Sequence, residues 1–137
     1  MRCKRVISFF CVVICMMTMV ISASASTRAS DQISSYLIQA KSDDGNIYVD
    51  FSVTGKGGMD RIGCESIYIY ESSSGRLVES FDENDVGMSR SNTFKYANMI
   101  TADCKVGTRY RVEVTIFAED SAGRDTRSQT FYVTGQA

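Results

Sequence analysis

Residues 105–118, KVGTRYRVEVTIFA, alternate more strictly than any other part of the chain, and that alternation limits what the chain can become. Apolar side chains fall on Tyr110, Val112, Val114, Ile116 and Ala118, with Arg109, Arg111, Glu113, Thr115 and Phe117 between them. A period of two sends the two sets to opposite faces of a strand, so one face is expected in a core and the other in water, up to Phe117. Residues 47–54 repeat the pattern, with Ile47, Val49, Phe51 and Val53 on one side and Tyr48, Asp50, Ser52 and Thr54 on the other. Residues 66–71 do so again, with Ile67 and Ile69 inward and Tyr68 and Tyr70 outward. No stretch keeps a helical period for more than a turn. An all-β chain is expected.

The N-terminus has a different logic. Arg2, Lys4 and Arg5 precede a sixteen-residue apolar run over 6–21, and Ala23 and Ala25 complete a small-residue cleavage pattern. The run is shorter than the roughly 20 residues that span a bilayer, so residues 1–25 read as a secretory signal peptide cut after Ala25. An uncleaved anchor is the alternative. Cys15 lies inside the run without the small residues of a lipidation box before it. The expected organisation is signal peptide over 1–25, flexible leader over 26–32 and one domain over 33–135, in a secreted protein with no membrane contact after cleavage. Of fifteen basic residues three lie in the signal, leaving twelve against sixteen acidic ones, a balance that disfavours nucleic acid as a partner.

Between the anchoring strands the reading is coarser. Residues 33–40 are mixed on both faces and suit a sheet edge. Asp43 to Asn46 is a turn, and Gly55, Gly57, Gly58 and Gly63 punctuate a loop into which Met59 and Ile62 tuck. That loop has neither the Lys-Ser/Thr ending nor the helix of a phosphate cradle. Ser72 to Gly75 closes a hairpin into 76–81, Met88 plugs the core from a further loop, and 93–100 carries Phe94 and Tyr96. The acidic turn Asp82 to Asp85 lacks the spacing of a calcium loop and reads as solvated. The last strand, 125–134, turns Phe131 and Val133 inward and leaves Arg127 at the rim. About seven strands result, and the expected fold is a single antiparallel β-sandwich.

The run Val106-Gly107-Thr108, followed by Tyr110, Val112 and Val114, resembles the loop and late strand of fibronectin type III domains in the immunoglobulin-like class. The resemblance implies that the Tyr110 hydroxyl returns to the backbone of the preceding loop and pins it. The tryptophan and prolines usual in that family are absent here. The chain as a whole is similar to small secreted proteins of Gram-positive gut bacteria, through FSVTGKGGMDRIGCESIYIYE at 51–71. That likeness implies export and no activity.

Histidine and tryptophan are both missing, which removes the commonest general base, the commonest metal ligand and the best sugar-stacking ring. A non-catalytic module without cofactor or metal is therefore expected, binding an extracellular glycan or protein through Tyr68, Tyr70, Arg109 and Arg111. Cross-strand pairing without any ligand would use the same side chains. A self-associating surface protein is one alternative, and a glycosidase using two carboxylates is another. Cys64 and Cys104 follow the signal. A bridge between them would close a loop of about 40 residues, worth about 4 kcal/mol. In a fibronectin-like strand order, however, they lie more than about 20 Å apart, so two free thiols are expected.

Overall fold

The computed structural model describes residues 31–137. The expected signal peptide over 1–25 and most of the expected leader lie outside the described residues. Six antiparallel strands follow: β1 (Ile33–Asp43), β2 (Asn46–Glu71), β3 (Leu77–Asp82), β4 (Ser89–Asp103), β5 (Arg109–Asp120) and β6 (Gly123–Thr134). No helix occurs among the described residues, so none there is long and apolar enough to cross a membrane.

All six strands belong to one curled sheet built on β2. One side of β2 takes β1 along Asn46–Gly55 and then β5 along Arg61–Glu71, while the other side takes β4 and then β3. β6 continues outward from β5. The change of partners at 55–61 lets the sheet fold over its own inner face. Ile47, Val49, Phe51 and Val53 from the first half of β2 join Ile67, Ile69, Val112, Val114 and Ile116 in one buried cluster. This is the parity that the alternation predicts.

The expected seven strands are six because residues 47–54 and 66–71 are two ends of one strand. The glycine-rich segment between them is a bend within β2. Its glycines imitate a loop in sequence, but Gly63 serves close approach: a Cβ there, where φ is +152°, would lie 2.3 Å from the Met88 carbonyl oxygen. Met59, Ile62 and Met88 are buried as expected. The β1 strand is extended by three residues, and its far side lies beside the end of β6, where the Ser42 hydroxyl donates to the Thr134 carbonyl. Gln32, placed by sequence in the leader, is buried, and its backbone N–H donates to Asp125 Oδ2 at 2.7 Å.

Cys64 and Cys104 are unpaired. Cys64 sits opposite Ile116 while Glu71, seven residues on along β2, sits opposite Tyr110, and Cys104, just past the end of β4, lines a groove with Glu71 and Tyr110, so the second half of β2 separates the two cysteines. The Cys64 thiol donates to the Thr115 carbonyl at 3.3 Å, and burial pushes its pKa up to about 12.

Candidate binding face

The outer face of β3, β2, β5 and β6 inherits the polar half of the alternation. Tyr70 stands opposite Arg111, which stands opposite Tyr132, and in the next row Tyr68 stands opposite Glu113. Facing side chains in such rows lie within contact range. The Arg111 guanidinium lies 4.4 Å from the centre of the Tyr70 ring, and that of Arg109 lies 5.1 Å from the Tyr132 ring. Tyr68 and Tyr70 have ring centres 6.4 Å apart.

The four residues singled out by sequence therefore share one face: Arg111 stacks on Tyr70, Tyr68 lies beside Tyr70, and Arg109 stacks on a fifth residue, Tyr132. Tyr132 was missed, although it shares the outward parity of β6. It could be found only through the register that sets it against Arg111. Tyr68 is 39 % exposed, Tyr132 57 % and Leu77 at the margin 47 %, so the face offers rings and charge to solvent. Arg111 Nε lies 3.2 Å from Glu113 Oε1, but its N–H does not point at that oxygen and makes no hydrogen bond. The attraction there is purely electrostatic. Among the described residues Arg109 has no carboxylate in ion-pair range.

Further along the same face Phe117 departs from the expected pattern: it points outward yet is fully buried. Arg124 covers it, with the guanidinium 4.2 Å from the ring centre. Both terminal nitrogens of Arg124 donate to Glu83, at 3.0 and 3.1 Å, and the same arginine reaches Glu119 at 3.2 Å. Arg61 adds a second cation 3.1 Å from Glu83. These charges tie the β3–β4 turn to the β5–β6 hairpin. In that turn Asp85 Oδ2 accepts the Asp82 N–H and Asp82 Oδ1 accepts the Asn84 N–H, so the acidic side chains cap their own backbone.

At the end of the sheet an open groove of about 340 Å³ is lined by Glu71, Arg76, Val78, Asp103, Cys104, Lys105 and Tyr110. The Tyr110 hydroxyl accepts the Lys105 backbone N–H at 2.8 Å, the link implied by the fibronectin type III resemblance. Two carboxylates line this groove. The hydrogen bond from Arg76 holds the Glu71 carboxyl below its usual range, the reverse of what a general acid needs. Among the described residues no three His, Cys, Asp or Glu side chains are grouped to hold a metal.

No protein-family model matches this chain, and no curated protein matches it in sequence. Among solved structures it is similar to the apo form of Bacteroides uniformis beta-glucuronidase 3, at 15 % identity and a TM-score of 0.43. The likeness covers 74 % of this chain but only 12 % of the length of that one, and is too slight to carry an activity across.

Proposed function

We propose that this chain is a secreted, non-catalytic binding module with an immunoglobulin- or fibronectin type III-like β-sandwich, and that its ligand is an extracellular glycan or protein. The binding face consists of Tyr68, Tyr70, Arg109, Arg111 and Tyr132. The observation that carries this reading is the pair of ring–guanidinium stacks, half open to solvent on the side of the sheet that the core does not use. Tyrosine and arginine present large, rigid contact surfaces with polar ends, which is why they dominate binding hot spots. The Tyr110–Lys105 hydrogen bond supports the family-level reading, and the N-terminal charge and hydropathy pattern supports export.

A screen against immobilised glycans, mucins and extracellular proteins tests the proposal, with the Tyr68→Ala/Tyr70→Ala double variant as comparison. The variant is expected to keep the unfolding midpoint to within a few degrees and to lose binding. Undiminished binding by a folded double variant would overturn the assignment.

A further inference from the structure

The β4 strand pairs with β2 along one side only, and among the described residues no backbone hydrogen bond joins its other side to another segment. Such an edge is a template for a further strand. The other two long edges, β1 and β6, are less available, because they meet each other where Ser42 donates to Thr134, and β3 offers only six residues. The outward side chains of β4 are Lys95, Ala97, Met99, Thr101 and Asp103, all exposed. Met99 is 48 % exposed, and Leu37 at 51 % lies across Ser52 from Ala97, so an apolar spot sits between two charges. Neither Lys95 nor Asp103 belongs to an ion pair among the described residues.

We propose that two copies of this chain join edge to edge through β4, antiparallel, about a two-fold axis at Met99. An axis normal to the sheet keeps every residue on its own face, so a two-fold register must centre on a residue. Centring on Met99 sets Lys95 of each copy opposite Asp103 of the other, Ala97 opposite Thr101, and Met99 opposite itself. Both unpaired charges are matched, and the exposed thioether is covered. Neighbouring registers fail: an axis at Asn98 sets Lys95 opposite Thr101, and one at Ile100 sets it opposite Lys105. The paired segment starts at Lys95 because the ladder with β2 is interrupted between Thr54 and Met59, beside Asn92 in a left-handed conformation at φ 56°. This edge is separate from the tyrosine–arginine face, so either assignment can fail alone.

Cysteine crosslinking under mild oxidation, in a Cys104→Ser background, reads the register. Residues facing each other lie about 4.5–5.5 Å apart at Cα, within disulfide reach. Met99→Cys is expected to give a covalent dimer. Thr101→Cys alone is not, because its two copies are about 13 Å apart, whereas an equal mixture of Ala97→Cys and Thr101→Cys chains is. Light scattering on cysteine-unmodified protein tests the charges independently: Lys95→Glu should weaken dimerisation at least about tenfold, and Lys95→Glu/Asp103→Lys should restore it. A monomer at every soluble concentration, crosslinking at Thr101 but not Met99, or dimerisation indifferent to Lys95→Glu would each overturn the proposal.

Discussion

The Glu83 carboxylate accepts two hydrogen bonds from Arg124, and these, with the nearby Arg61 charge, hold its pKa below the usual carboxylate range. A carboxyl whose pKa is depressed in the folded state adds stability above its unfolded pKa and loses it as pH falls through the folded one. Glu83→Gln should therefore cost about 1 kcal/mol at pH 7, given the partial solvent access, and the gap to the parent should close as the solution is acidified below pH 4. Thermal scans across that range check it; a gap that widens in acid would contradict the assigned pairing. The two thiols differ in the same local way. Burial raises the pKa of both thiols, that of Cys64 to about 12, but Cys64 is buried while Cys104 is half-buried beside the groove, so alkylation of native protein should label Cys104 alone. Protein cut after Ala25, denatured but unreduced, should take two labels in mass spectrometry, and a mass two protons lighter would mean a disulfide. Tyr110→Phe removes the acceptor for the Lys105 N–H and should cost about 1.5 kcal/mol in denaturant unfolding.

At the scale of elements, β2 decides the architecture by serving two sets of partners. Its midpoint depends on a missing side chain, since a Cβ on Gly63 would collide with the Met88 carbonyl and lie 2.7 Å from Ser89 Cα, both backbone atoms that cannot swing away. Gly63→Ala should lower stability by about 3 kcal/mol, whereas Gly57→Ala, with nothing within 4 Å, should change it by less than about 0.5 kcal/mol, and chemical denaturation compares them. Strand existence and facing were legible wherever one face is buried along its length, as in 47–54, 66–71 and 109–118. The continuity of β2 was not, because a glycine that permits a bend and one that ends a strand look alike in sequence. Phe117 shows a second limit: its outward parity was readable, but Arg124 covers it only because the β5–β6 hairpin folds back, and Glu83 from the β3–β4 turn holds that arginine in place.

For the whole molecule, one alternation of side chains assigns both the core and the candidate face. Tyr68, Tyr70, Arg109 and Arg111 could be named from sequence because each directly neighbours a residue that had to be inside. Tyr132 and the charge cluster over Phe117 needed the register of β5 against β6. The free edge of β4 needed the full strand order, since β1 has the more edge-like composition but ends beside β6. If the alternation were slipped by one residue, the binding face would become core and the core would become surface. The unfolding midpoints of Val114→Ala and Thr115→Ala, measured side by side, test this most directly. Val114 is fully buried, whereas Thr115 spends its hydroxyl on Ser128 at the surface. Val114→Ala should cost about 2 kcal/mol and lower the midpoint by roughly 8 °C, and Thr115→Ala should move it by no more than about 2 °C. A midpoint lowered by Thr115→Ala and unmoved by Val114→Ala would contradict the register on which the core and the binding face both rest.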